Sequence, residues 1–238
     1  MTLDEQYTSI EEKIPKVFDA GKKAEYDAFW DEYQNNGNRT NYGSAFAGIG
    51  WTTDTFKPKY DIRPIDVYMM FRKSHLPIDL VAYLDGLGIT LDFSNASASF
   101  QYTFDDSQFT RIGRIDFSKA RGAIYYIFSN TPNLRTIDEF VVSEKITNYS
   151  NVFTNSTALE NITITGVIGA SISFQWSPLS VASMKSIISC LKNYAGTSND
   201  LSYSITFNDE CWAALEADST SPNGNTWKEH VNSLGWNT

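Results

Sequence analysis

The stretch FRKSHL, from Phe71 to Leu76, decides the fold because the chain repeats its pattern. It returns as FDDSQF from Phe104 to Phe109, followed by Ile112, Ile115 and Phe117. It returns again as FSNTPNL from Phe128 to Leu134, followed by Ile137, Phe140 and Val142, and as FTNSTAL from Phe153 to Leu159, followed by Ile162 and Ile164. Weaker copies are FAGIGW from Phe46 and FQWSPL from Phe174. Four residues before each strong Phe stands another apolar residue, Val67, Phe100, Ile124 or Tyr149, a spacing that suits one turn of helix. Each unit therefore reads as a helical turn carrying the Phe, a small polar corner of Ser or Asn, and a Leu- or Phe-led strand with alternating apolar residues. One unit cannot bury its apolar side alone, whereas stacked units can, ring on ring. The expectation is an α+β repeat, a short irregular solenoid whose structural ladder is Phe71, Phe104, Phe128, Phe153 and Phe174, with 21 to 33 residues between successive rings. The longest interval holds a helix-like piece, DLVAYLDGLG, before the strand-like ITLDF.

Ahead of the repeats, Tyr7, Ile10, Ile14, Val17, Gly21, Ala24 and Ala28 alternate by three and four, a heptad-like stripe. Pro15 costs a helix interior about 3 kcal/mol and Gly21 about 1 kcal/mol more, which splits the region into two shorter helices. The second, KKAEYDAFWDEYQ, gathers Tyr26, Phe29, Trp30 and Tyr33 on one aromatic face. Two readings stand. Residues 1–36 form a coiled-coil attachment or oligomerisation segment working through Tyr7, Ile10, Ile14 and Val17, or a helix folded back to cap the body. After the repeat body, 37–179, the segment 180–238 reads as a C-terminal cap. It opens with a helix N-capped by Ser180 and carrying Val181, Met184, Ile187, Ile188 and Leu191, with Gly196 as its stop. The strand LSYSITF, the piece NDECWAALE, a loop around Pro222 and a helix TWKEHVNSL closed by Gly235 follow.

The bulk properties restrict function. The 238 residues are 42% hydrophobic and 14% aromatic, enough for a self-sufficient core. A net charge of −9 argues against nucleic acid and against anionic lipid surfaces. Cys190 and Cys211 lack metal-site spacing and read as buried fillers, with a disulfide between them left open. The opening residues MTLDEQYTSIEEK have no apolar core of signal-peptide length, and no apolar run reaches the roughly 18 residues of a membrane span, so the chain is expected to be made in the cytoplasm without membrane insertion.

No chemistry-bearing motif emerges. His75 and His230 lie in no metal or nucleophile pattern, and the adjacent acids Asp105/Asp106, Asp138/Glu139 and Asp209/Glu210 would point to opposite faces on a strand. The sequence GIG at 48–50 lacks the remaining phosphate-loop residues. The expectation is a non-enzymatic chain with no catalytic residue, metal or cofactor. Binding candidates are Tyr125, Tyr126 and Trp176, aromatics not needed for the ring ladder, and the outward strand positions Arg114, Asp116, Asp138, Thr163 and Thr165. Packing of those aromatics beneath neighbouring loops is the competing reading.

The phrase F-x-x-S/N-x-(x)-L-x-x-I resembles the leucine-rich repeats of the BspA-like surface-protein class. From about Ala24 onward, AEYDAFWDEYQNNGNRTNYGSAFAGIGW, FKPKYDIRP and SISFQWSPLSVASMKSIISCL resemble a family encoded in phages and prophages of Gram-positive, often gut-dwelling, bacteria. That family often has Cys after the Phe, where this chain has Ser, Asn or Asp. The resemblance implies a leucine-rich-repeat-like fold and a virion or surface component making protein or glycan contacts. Its partners would be other virion or surface proteins, or a host-surface protein or glycan. Alternatives are a capsid or tail decoration without external ligand, a bacterial surface adhesin, and a carbohydrate-active enzyme.

Overall fold

A computed structural model describes residues 23–48, 51–98, 100–218, 222 and 225–238. It is a mixed α+β fold with a helical amino-terminal segment, parallel β-sheets and a carboxyl-terminal region of helices and strands. Helix α1 (Lys23–Tyr33) and a 3-10 turn (Asn35–Gly37) come first, then α2 (Leu80–Gly86). Strands β1 (Arg111–Asp116), β3 (Thr136–Val142) and β5 (Asn161–Gly166) form one parallel sheet, and β2 (Gly122–Ala123) pairs with β4 (Ile146–Asn148) in a second. A third sheet joins β6 (Ile172–Phe174), β7 (Tyr203–Phe207) and β8 (Trp236–Asn237), with helices α3 (Val181–Ser189), α4 (Asp209–Glu216) and α5 (Trp227–Ser233) between and around them.

Two expectations are corrected here. The described strands divide among three separate sheets of three, two and three strands, and no sheet is curled or closed, so the expected solenoid is not what forms. The longest described helix is α1, with 11 residues, too short for a coiled coil, which needs several heptads. The stripe residues Tyr7, Ile10, Ile14 and Val17 lie outside the described residues. Within α1, Trp30 is buried and stacks on Trp51 at 5.3 Å, while Phe29 and Tyr33 flank it.

The rings of Phe46, Phe71, Phe104, Phe128, Phe153 and Phe174 form one file, successive centroids lying 5.1, 5.3, 5.6, 5.4 and 4.5 Å apart. Interplanar angles stay at or below 29°, and Phe207 extends the file at 6.0 Å. All of these rings are buried. Beside them Ile112, Ile137 and Ile162 lie in register across β1, β3 and β5, and Ile115, Phe140 and Ile164 form a second row.

The first five rings are not carried on helical turns. The residues two before and two after each ring have positive φ: Ser44 and Gly48, Met69 and Lys73, Tyr102 and Asp106, Tyr126 and Asn130, Asn151 and Asn155. The corner is thus a run of three linked β-turns, closed at Phe71 by Met70 N–H to Val67 O, Arg72 N–H to Met69 O and Ser74 N–H to Phe71 O. The intervening N–H groups cross to the next corner: Phe71 donates to Thr103 O at 2.7 Å, Phe104 to Ile127 O at 2.8 Å and Phe128 to Val152 O at 2.9 Å. Alternation between internal and inter-corner bonds satisfies these donors, as buried backbone requires. At Phe174 and Phe207 the residue two before the ring is Ile172 or Ile205, β-branched and ill suited to the left-handed region, and the corner becomes a strand.

A hydroxyl file runs beside the rings. Ser74, Ser107, Thr131, Ser156 and Ser177, each three residues after its Phe, are buried. The Ser156 hydroxyl donates to Phe128 O at 2.6 Å and lies 3.1 Å from Thr131 Oγ1, and Ser177 donates to Ser156 O at 3.2 Å. The Ser74 and Ser107 hydroxyls have no partner among the described residues.

Helices protect both edges of the first sheet. Along β5, Ile162 N–H donates to Ser183 Oγ at 2.9 Å and Ile164 N–H to Ser186 Oγ at 3.0 Å, so serines of α3 stand where a further strand would pair. Along β1, a Cβ added at Gly113 would approach a Val81 methyl of α2 to 2.8 Å, so glycine lets the helix pack close there.

Two measurements test this account. Truncating the fully buried ring in Phe128→Ala should cost about 3–5 kcal/mol in urea unfolding. Ser156→Ala should cost about 1 kcal/mol and Ser74→Ala less than about 0.5 kcal/mol, because only the first removes hydrogen bonds; equal losses would refute the hydroxyl file.

Candidate recognition face

The outward surface of β1, β3 and β5 carries the charged candidates, and it is occupied by its own ion pairs. Arg111 makes a two-pronged contact with Asp138, both bonds 2.9 Å, and reaches Asp79 at 3.2 Å. Arg114 contacts Glu139 at 2.6 Å and Asp116 at 2.9 Å, while Thr165 donates to Glu139 at 2.8 Å. Both guanidinium pKa values are raised, chiefly by the hydrogen bonds that Arg111 donates to Asp138 and Arg114 donates to Glu139. Burial of Asp116 alone would lift its pKa, but hydrogen bonds from Ser118 and the charge of Arg114 outweigh that and hold it below the ordinary value. Of the five polar candidates, Arg114, Asp116 and Thr165 join one network, Asp138 another, and Thr163 stands exposed on β5.

The aromatic candidates separate. Trp176 is 46% exposed and stands without a ring partner among the described residues. Tyr125 and Tyr126 are half-buried and join Tyr102 and Tyr68 in a phenol cluster. Tyr102 and Tyr126 lie face to face at 5.0 Å and 5°, and the Arg72 guanidinium sits 5.2 Å from the Tyr102 ring centre. Burial, followed by the neighbouring phenols, raises the Tyr102 pKa. Both tyrosines occupy left-handed backbone two residues before their Phe, so the ring-file geometry sets this cluster.

The cluster belongs to a longer lateral face that sequence reading missed. Gln101 and Ala123, sequence neighbours of these tyrosines, line a cleft of about 450 Å³ together with Ser97, Ser118, Lys119, Arg121 and Lys145, among others. A groove of about 380 Å³ is lined by hydroxyl and amide groups, including Asn148, Ser150, Asn151, Ser171, Ser173 and Thr206. Strand β4 links them: Lys145, just before it, lines the cleft, and Thr147 onward lines the groove. The signal was positional. Arg121 lies seven residues before Phe128 and Lys145 eight before Phe153, and Gly122 N–H donates to Lys145 O at 3.0 Å, which brings the two rungs together. Their common position shows only once adjacent units are aligned on their rings.

Other reactive groups are quiet. Cys190 and Cys211 are free thiols, and burial pushes both pKa values up, away from the nucleophilic thiolate. His75 is exposed at its corner, and His230 lies partly buried in α5. Among the described residues no three His, Cys, Asp or Glu side chains gather as a metal site, and no helix is long and apolar enough to cross a membrane. No family model matches the chain, and comparisons with curated proteins and with solved structures likewise find no match.

Acid should weaken the fold through Asp116. Its folded pKa is depressed, so the stabilisation is present above the unfolded value of about 3.9 and is lost as pH falls through the lower folded value. Between pH 4.5 and 3 the urea midpoint of the native chain should drop more steeply than that of Asp116→Asn. Parallel slopes would remove this residue from the acid response.

Proposed function

We propose that the chain is a non-catalytic recognition module of a phage or prophage particle, or of a bacterial surface, that holds a glycan or protein partner against its lateral face. The observation that carries the reading is the contrast between the two surfaces. The outward sheet face spends its charges internally, whereas the lateral face presents a polar cleft, a phenol cluster and a hydroxyl-lined groove. Tyrosines held by stacking present large surface at small entropic cost, as recognition surfaces require. The finer reading of the units as degenerate leucine-rich-type repeats rests on the recurring Phe phrase and the parallel pairing of successive units.

The non-catalytic part of the proposal rests on electrostatics. A glycoside hydrolase needs one carboxyl group kept protonated near neutrality opposite a second carboxylate. Here Arg111 bridges Asp79 and Asp138, and Arg114 bridges Asp116 and Glu139 and helps to hold the Asp116 pKa below its ordinary value, the opposite of a carboxyl group kept protonated.

The test is binding of the full chain to a glycan array and to host-surface extracts, repeated with Tyr102→Ala/Tyr125→Ala/Tyr126→Ala and with Ser173→Trp, which would fill the groove. Binding should fall at least about tenfold in one or both variants while far-ultraviolet dichroism and melting stay native-like. Partner binding unchanged in both folded variants would refute the lateral face as the site.

A further inference from the structure

The cleft carries a charge opposite to that of the chain. The net charge is −9, yet Lys119, Arg121 and Lys145 converge on one concavity, all three exposed. Nearby acids are engaged elsewhere: Glu144, next to Lys145 in sequence, pairs with Lys192 at 3.3 Å, and Asp116 pairs with Arg114 at 2.9 Å. None of the three cations has a carboxylate within salt-bridge distance among the described residues, and the one side-chain polar contact found is from Lys119 to the neutral Asn95 amide at 3.3 Å. By contrast, Lys59, Arg63, Arg72, Arg111, Arg114, Arg135, Lys185 and Lys192 all pair with carboxylates.

We propose that this cleft binds the acidic groups, phosphate or uronate, of an anionic glycan, with Lys119, Arg121 and Lys145 as counter-charges and the neighbouring groove holding neutral parts of the same polymer. The proposal rests on the recognition reading above and names its ligand class. A guanidinium fork suits the paired oxygens of phosphate and carboxylate alike, and ammonium groups supply charge without fixed geometry. The Ser97 and Ser118 hydroxyls and the Gln101 amide add neutral polar groups at the cleft wall. A glycan is favoured over an acidic peptide because the adjoining groove presents mostly hydroxyls and amides rather than pockets for apolar anchors, and because the stacked Tyr102 ring belongs to the residue next to Gln101 of the cleft wall. Three cations on a strongly acidic chain are poorly matched to the dense charge of nucleic acid.

The experiment is calorimetric or interferometric titration of the full chain with five probes: polygalacturonate for the uronate, a glycerol-phosphate polymer for the phosphodiester, dextran as the neutral glycan, poly-glutamate as the acidic peptide, and a single-stranded oligonucleotide. At least one of the two acidic glycan-type polymers should bind about tenfold or more tightly than every other probe, and the difference should shrink as salt screens it. Which of the two binds identifies the acidic group. Lys119→Gln, Arg121→Gln and Lys145→Gln should each weaken that binding about three- to fivefold and together abolish it, with Lys73→Gln, an exposed cation at a different corner, as the unaffected control. Should the triple variant lose its melting transition, Arg121→Gln alone decides. Equal binding of the acidic polymer by the native and triple-substituted chains would overturn the anion site while leaving lateral-face recognition intact. Equal or tighter binding of poly-glutamate or the oligonucleotide would overturn the choice of glycan. Binding of no probe would overturn this proposal, and the recognition reading would then stand or fall on the tyrosine and Ser173 variants.

Discussion

Face-to-face packing of one phenylalanine per unit is the constraint on which the rest of the molecule depends. Stacked rings 4.5 to 5.6 Å apart match the spacing of about 4.8 Å at which parallel backbones exchange hydrogen bonds. Because the two distances agree, a ring in place puts the backbone of its corner within reach of the next, and the bonds from Phe71 to Thr103 and from Phe104 to Ile127 form without distortion. Each fully buried ring contributes roughly 1.5–3 kcal/mol and each stacked pair about 0.5–1.5 kcal/mol more. No single unit commands those terms alone. The file therefore holds together neighbour by neighbour from Phe46 to Phe207.

The same corner that seats a ring also decides which surface is available to a partner. Left-handed backbone at Tyr102 and Tyr126 turns both phenols to one side, where they stack on each other. At the other end of each unit the strands deliver alternating charges to a flat sheet, and there Arg111 and Arg114 find carboxylates from the adjacent strand. One surface is thus neutralised by its own register. The other retains three cations without a carboxylate partner among the described residues, beside a groove lined by hydroxyls and amides.

Much of the ring file was legible in the sequence because its determinant is local: a Phe with Ser or Thr three residues on, repeated four times over. The conformation of the corner was not legible. An apolar residue four before the Phe fits a helical turn as well as it fits linked β-turns, and the discriminating feature is the run of residues such as Asn130 and Asn155 that tolerate positive φ. The expected solenoid does not form because strand pairing lapses where α2 and α3 take the places of strands, with Ser183 and Ser186 of α3 supplying the bonds that end the ladder. Tyr125 and Tyr126 were legible as aromatics surplus to the ring file. Arg121 and Lys145 were missed because nothing local distinguishes them; they become neighbours only when two units are laid side by side.

The intervals between rings are elastic whereas the rings are not. The chain runs 33 residues from Phe71 to Phe104, passing through α2, and only 21 from Phe153 to Phe174, yet the corresponding rings lie 5.3 and 4.5 Å apart. Sequence between corners can lengthen, shorten or acquire a helix at the small entropic cost of a longer loop, with the spine undisturbed. Such a scaffold separates what must be inherited unchanged from what selection is free to rewrite. A lineage confronting a shifting target could remodel the excursions of this protein one at a time and keep the same backbone of stacked rings.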